Sequence, residues 1–155
     1  MTDRALAVVK ATLDGYANRG IFHAIDGGRV AGKATHFNFV WHRGRAIQCV
    51  FAPPILTLRD FLPAVEARSD LRKAIRDLIR ERCKPAQPAH RAIDLRRAAV
   101  RTSSRGARMS ISLESLDADY VYATQKLIFL AHEIWLLLQS DWAEYMWENL
   151  GAPVE

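Results

Sequence analysis

The stretch THFNFVWHRGRAIQCVF, from Thr35 to Phe51, alternates apolar and polar residues on both sides of a single glycine. A period of two is typical of strands with one buried face. We predict a β-hairpin with the three-residue loop His42-Arg43-Gly44, in which Gly44 takes a left-handed conformation. This register makes four cross-strand pairs: Trp41 with Arg45, Phe39 with Ile47, Phe37 with Cys49, and Thr35 with Phe51.

The same register separates the hairpin into an apolar face and a polar face. The apolar face collects Phe37, Phe39, Trp41, Ile47, Cys49 and Phe51. We expect His36 and His42 on the opposite, solvent-exposed face. A shift of one residue would mix the two faces, which is costly when one of them is buried. The alternation therefore predicts a core rather than a chemical site.

The rest of the chain predicts helices and a second hairpin around this sheet. A connection marked by prolines follows the hairpin and buries leucines and a phenylalanine: Leu56, Leu58, Phe61 and Leu62. The predicted helices are Thr2 to Arg19, Ser69 to Cys83 with Arg72 and Arg82 facing outward, and Asp117 to Gln139, which resumes from Trp142 to Asn149. The predicted short strand is Ile21 to Ile25.

These elements predict an α+β fold with a single domain over residues 1–155. The order α-β-β-β-α-β-β-α favours a two-layer sandwich, with a mostly antiparallel sheet of about five strands and the helices on one face.

The second hairpin, from Asp94 to Glu114 with its turn at Ser103 to Gly106, predicts an exposed basic strip. Its register pairs Val100 with Met109 inside, and Arg101 with Arg108 and Arg97 with Ser112 outside. Hydroxyl groups beside arginines suit a phosphate or a carboxylate, so Arg97, Arg101 and Arg108 are the candidate anion-binding residues. The strip has no aromatic residues for base stacking, so nucleic acid is a less favoured ligand than an acidic protein.

Charge is segregated along the chain, although the net charge is only +5. Residues 1–67 carry +3, residues 68–108 carry +9 and residues 109–155 carry −7. A basic middle and an acidic final third can complement each other within one chain or across a dimer.

The long C-terminal helix carries more apolar surface than one sheet needs. Four residues lie outside its inner stripe and are the candidate partner-binding residues: Phe129, Trp135, Leu136 and Trp142. Either the proline-marked connection covers them or a second subunit does, and aromatic residues with polar neighbours favour an interface. We expect a homodimer.

No pattern in the sequence indicates catalysis, a metal or a cofactor. The segment HEIW at His132 has Leu136 where the zinc-protease motif needs its second histidine. An enzyme that uses His23, His36 or His42 stays open on residue type alone.

Two cysteines are too few for a disulfide framework and favour reduced thiols in the cytoplasm. The apolar run Leu127 to Leu138 is shorter than the roughly 20 residues of a membrane span.

The segments THFNFVWHRGR and YATQKLIFLAHEIW resemble those of a family of small bacterial proteins of uncharacterised function. This resemblance implies a bacterial origin and assigns no residue a role. The predicted order of elements also resembles the secretion-chaperone-like fold, which implies binding of a segment of a partner protein.

Overall fold

The computed structural model describes residues 2–151, and within that range four helices cover one face of a six-stranded antiparallel sheet. The helices are α1 Thr2–Asn18, α2 Asp70–Arg82, α3 Tyr120–Asp141 and α4 Ala143–Leu150. The strands are β1 Arg29–Ala31, β2 Ala34–Trp41, β3 Arg45–Ala52, β4 Ile55–Leu62, β5 Ala98–Arg105 and β6 Arg108–Ser115. The strand order is β1-β2-β3-β4-β6-β5, so the predicted α+β class is confirmed.

The first hairpin has the predicted register and the predicted faces. Trp41 pairs with Arg45, and Phe37 pairs with Cys49. The six apolar residues of the inner face are all buried. Gly44 has a positive φ of 82°, but His42 and Arg43 have positive φ as well, so the loop is not built on the type I turn that three-residue hairpin loops usually contain.

The strand count is six rather than five, because the proline-marked connection contains β4. Pro53 and Pro54, joined by a cis peptide bond, form the two-residue turn between β3 and β4, where Ala52 pairs with Ile55. Prolines in a turn remove no hydrogen bond from the strand ladder. Leu56 and Leu58 of β4 point into the core, as expected for that connection.

The first predicted strand is wrong in its position. Residues 21–25 contribute only an isolated bridge between His23 and Val40. The regular edge strand is β1, in which Arg29 pairs with His36.

The second hairpin forms, but its predicted register is wrong by four residues. Val100 pairs with Leu113 instead of Met109, and Arg101 pairs with Ser112 instead of Arg108. Both strands extend to a two-residue turn at Gly106 and Ala107, where Gly106 has a φ of 63°. A shift of an even number of residues keeps every side chain on its predicted face, so the inner residues Met109 and Ile111 are buried as predicted.

Helix α3 is the central element of the helical layer. Asp119 caps its start by accepting a hydrogen bond from the backbone N–H of Tyr122 at 3.0 Å. Its inner residues Leu127, Ile134 and Leu138 are almost completely buried, which stabilises the fold by about 2 kcal/mol each.

By length and composition α3 could cross a membrane, but 61% of its most apolar window is buried in the fold, consistent with a core helix of a soluble protein.

Helix α2 begins as predicted, with the Ser69 hydroxyl accepting a hydrogen bond from the backbone N–H of Arg72 at 3.1 Å. The prediction that Arg72 and Arg82 face outward is wrong, because both side chains are buried. Arg72 donates hydrogen bonds to the hydroxyls of Thr102 and Ser104 on β5. Arg82 donates to Glu133 on α3 at 3.2 Å. Partners distant in sequence therefore draw Arg72 against the sheet and Arg82 against α3.

Candidate functional site

The sheet face opposite the helices is open to solvent. Pairing across the strands places His36, Val50, Thr57, Ser112 and Arg101 in one row on this face. No residue of the row is buried, whereas the neighbouring inward-facing residues form the core. The sheet thus presents a continuous and mainly polar row of side chains to solvent.

One end of this open surface combines hydroxyl groups with arginines, and we call it the arginine–hydroxyl face. Its residues are Thr57, Arg59, Arg101, Ser103, Arg105, Arg108, Ser110 and Ser112. The Thr57 and Ser112 hydroxyls lie 2.9 Å apart, and the Ser110 hydroxyl accepts a hydrogen bond from the backbone N–H of Asp60 at 2.9 Å. A shallow depression of about 300 Å³ lies over these hydroxyls.

The arginines of this face differ in how they are neutralised. Arg105 and Arg108 lie 3.6 and 3.8 Å from the Asp60 carboxylate. Arg59 and Arg101 have no carboxylate within ion-pair distance among residues 4–151, whose side chains the structure describes. Exposed guanidinium groups beside hydroxyls can hold a carboxylate or a phosphate through paired hydrogen bonds. The arrangement therefore suits an anionic ligand.

Of the predicted anion-binding residues, Arg101 and Arg108 lie on this face but Arg97 does not. The Arg97 guanidinium donates to Asp117 at 2.8 Å and to Asp119 at 2.6 Å, and it stacks over the Tyr122 ring. The hydrogen bond from Arg97 lowers the pKa of the Asp117 carboxyl. These contacts hold the start of α3 next to β5 and occupy the Arg97 guanidinium, so Arg97 does not belong to the arginine–hydroxyl face.

Sequence reasoning missed Thr57, Arg59 and Arg105 as members of the site. Thr57 and Arg59 belong to β4, whose sequence reads as a connection because of its neighbouring prolines. Arg105 falls in the turn that the sequence predicts for the second hairpin. The alternation of Leu56 and Leu58 with Thr57 and Arg59 was the available signal.

The four predicted partner-binding residues do not share one exposed surface. Trp135 is only 5% exposed and lies inside the fold, so it is not available to a partner. Phe129 and Trp142 are half-buried, and Leu136 is 44% exposed. Trp147 on α4, which is not one of these four residues, is 58% exposed.

The prediction that His42 faces solvent is wrong. Its ring is buried and stacks between Trp41, at 3.9 Å between ring centres, and Trp135, at 4.5 Å. His132 on α3 lies beside it, with the nearest ring nitrogens 3.4 Å apart. His36 remains on the open sheet face. The two strand histidines of the first hairpin therefore do not share a face.

The remaining chemistry-bearing residues do not converge on a site. Within residues 2–151, no three histidine, cysteine, aspartate or glutamate side chains are grouped so that they could hold a metal ion. Burial raises the pKa of the Cys49 thiol to about 12, and burial also raises the pKa of Cys83. Both cysteines are free, and both thiols are protonated at neutral pH, which makes them poor nucleophiles.

Comparison of the chain with protein-family models, with curated proteins and with solved structures found no match.

Proposed function

We propose that this protein is a non-enzymatic binding module that recognises an acidic protein segment on its open sheet face. The observation that carries the proposal is the arginine–hydroxyl face itself: Arg59 and Arg101 lack acidic partners among the described residues and flank a floor of hydroxyl groups.

The charge balance of the whole open face supports an anionic partner. Five arginines point to this side of the sheet: Arg29, Arg59, Arg101, Arg105 and Arg108. Three acidic side chains lie there, as far as the described residues go: Asp60, Glu114 and Asp26, which accepts a hydrogen bond from the outward Asn38 side chain at 3.0 Å. Such a surplus attracts acidic partners and speeds their association at low ionic strength.

The composition of the face favours a protein over a nucleic acid. Among the strand residues that point outward, none is Phe, Tyr or Trp, so the surface lacks the rings on which unpaired bases stack. Val40, Val50 and Ile55 share the face with the arginines. A mixture of aliphatic and basic side chains suits an acidic segment with apolar residues of its own.

The test is binding of a fluorescently labelled acidic peptide, measured by anisotropy at two salt concentrations. We expect the double variant Arg59→Ala/Arg101→Ala to weaken binding about tenfold, which corresponds to two charge-assisted contacts. The matched control is Arg43→Ala/Arg76→Ala, which removes the same charge from exposed positions away from this face. Equal losses in both variants would mean general attraction to a basic protein. Tighter binding to a single-stranded oligonucleotide of equal charge would contradict the choice of a protein partner.

A second candidate function is self-association through the outer side of α3 and α4. Val121, Leu136 and Trp147 are 43%, 44% and 58% exposed, and exposed aliphatic and aromatic side chains are enriched in subunit interfaces. Light scattering at several protein concentrations tests this. We expect Leu136→Asp to abolish a dimer and Leu116→Asp, at a leucine of similar exposure elsewhere, to leave the dimer intact. A monomer at all concentrations would exclude self-association.

The free cysteines support a cytoplasmic location for this binding module. Cys49 is buried in the core and Cys83 lies at the end of α2, and they are not joined. Reducing compartments keep such thiols free.

A further inference from the structure

The connection between α2 and β5 is unusually long, and side chains of α3 bind it by hydrogen bonds. Residues 83–97 contain no helix and no strand. Connections of this length in a compact domain are uncommon, and many of them form binding loops. We call this stretch the linker.

Buried charges of α3 hold the linker in place. Lys126 is 8% exposed as a whole residue, and its ammonium donates hydrogen bonds to the backbone carbonyls of Ala89 at 3.0 Å and His90 at 3.3 Å. Glu133 accepts from Arg91 at 3.2 Å and from Arg82 at the end of α2. Since burying a charge is costly unless its hydrogen bonds are made, these contacts define one conformation for the linker.

The linker encloses a pocket against α3, which we call the linker pocket. Its volume is about 790 Å³, which lies within the roughly 300–1,000 Å³ range of small-molecule sites. The walls are mainly apolar and include Ala92, Ile93 and Leu95, with the Cys83 thiol and the Tyr122 ring. Leu95 is 57% exposed, so an apolar ligand would cover a leucine that the chain itself leaves open.

The polar groups of the linker pocket favour an anionic head group. Three cations and one carboxylate line it: Lys84, Arg96, Arg97 and Asp94. The Lys84 and Arg96 side chains are 58% and 90% exposed and pair only with neighbours in sequence, Glu81 and Asp94. Exposed pairs of this kind are worth little, so either cation can turn toward a ligand.

Tyr122 supplies a hydrogen-bond donor inside the pocket. Its phenolic oxygen accepts a hydrogen bond from the backbone N–H of Asp94 at 2.9 Å. The phenolic proton has no acceptor among the side chains and backbone that the structure describes. That O–H can therefore donate to a carboxylate.

We propose that the linker pocket binds an apolar monocarboxylate. The carboxylate accepts from the Tyr122 hydroxyl and from Arg96 or Lys84, and the apolar body packs on Ile93 and Leu95. This site lies on the opposite side of the sheet from the arginine–hydroxyl face, so its test is independent of the proposed function.

The experiment uses decanoate as the probe and the full chain, with binding followed by calorimetry and by the rate at which iodoacetamide labels Cys83. We expect decanoate to bind and to slow the labelling. Leu95→Gln should weaken binding about tenfold through lost apolar burial. Leu116→Gln, at a leucine of similar exposure outside the pocket, should change it less than about twofold.

Three results would overturn the proposal. One is the absence of heat and an unchanged labelling rate at millimolar decanoate. Another is an equal loss of affinity in the Leu95 and Leu116 variants, because that would indicate unspecific adsorption. The last is decanol binding as tightly as decanoate, because that would exclude the carboxylate contact.

Discussion

His42 and His132 face each other nitrogen to nitrogen across the gap between the first hairpin turn and α3. The His42 Nε2 and His132 Nδ1 atoms are 3.4 Å apart, the ring centres are 5.7 Å apart and the ring planes differ by 14°. The distance between the ring centres exceeds the distance between the two nitrogens by about two ring radii. Both nitrogens therefore lie on the line that joins the two ring centres. This is the geometry of a long N–H···N hydrogen bond.

The surroundings of His42 also indicate which of its nitrogens carries the proton. Its Nδ1 atom is buried and has no hydrogen-bond partner among the residues described. A buried donor without a partner is rarer than a buried acceptor without one. We therefore infer that the proton is on Nε2 and is donated to His132, which leaves Nδ1 as an unpaired acceptor.

Acid should destabilise the protein through His42. Burial, followed by the nearby His132 and Arg45, lowers the pKa of His42 from 6.5 to about 3. Between these values the unfolded chain binds the proton and the folded chain does not, so stability falls as the pH drops below 6.5. We expect a loss of about 1–2 kcal/mol between pH 7.5 and pH 5, measured by urea unfolding.

The variants His42→Phe and His36→Phe separate this effect from general acid sensitivity. Phenylalanine keeps an aromatic ring between Trp41 and Trp135 but cannot titrate, so His42→Phe should flatten the dependence over this pH range. His36→Phe changes a histidine on the open sheet face and should retain the wild-type slope. An unchanged slope in His42→Phe would show that another group causes it.

Removing the charge of Glu133 should be far more damaging than removing that of Arg91. The Arg82 and Glu133 side chains are 10% and 12% exposed, while Arg91 is 38% exposed. Glu133→Gln leaves the buried Arg82 without a counter-charge, for which we expect a loss of about 3 kcal/mol in the free energy of unfolding. Arg91→Ala should cost less than about 1 kcal/mol. Chemical denaturation measures the free energy of unfolding of both variants, and similar losses in the two would contradict this prediction.

Engineered disulfides can test the register of the second hairpin. Ser103 lies directly opposite Ser110, whereas the register predicted from sequence places Ala99 there. In a Cys83→Ser background, Ser103→Cys/Ser110→Cys should oxidise readily, because opposed strand residues meet the geometry of a disulfide. Ala99→Cys/Ser110→Cys should not. Mass spectrometry after mild oxidation measures both, and preferential oxidation of the second pair would refute the observed register.

Lys126→Met should loosen the linker with little effect on the core. The variant removes the donor to the carbonyls of Ala89 and His90, so the linker should open locally more often. We expect trypsin to cut after Arg91 and Arg96 several times faster than in the wild type. Lys73→Met, at an exposed position on α2, removes one lysine from a neighbouring element and should leave these rates unchanged. Equal rates in all three proteins would mean that Lys126 does not hold the linker.

The two hairpins show what sequence reasoning can and cannot predict here. In the first, bulky apolar residues alternate on both strands and Gly44 marks a short loop, and together these features predict the register residue by residue. In the second, the strand Ala98–Arg105 offers mainly alanine, serine and arginine, so it has few large apolar side chains that could favour one register over another. Its faces were predictable but its pairing was not.

The candidate site was only partly predictable for a related reason. Arg101 and Arg108 follow from alternation along one hairpin, but Arg59 reaches them only because β4 inserts between β3 and β6. The burial of His42 depends on Trp135 and His132, some 90 residues later in the chain. A local sequence pattern does not indicate contacts between residues that lie so far apart in the chain.

The attachment of the linker to α3 has a consequence for the order of events during synthesis. Lys126, Glu133 and Tyr122 are all translated after the linker that they hold. While the chain emerges from the ribosome, the first hairpin and β4 can already pair, but the basic linker has nothing to dock on until the acidic final third appears. The linker pocket is therefore completed only once α3 has been made, and a chain truncated before α3 would carry the linker unfastened.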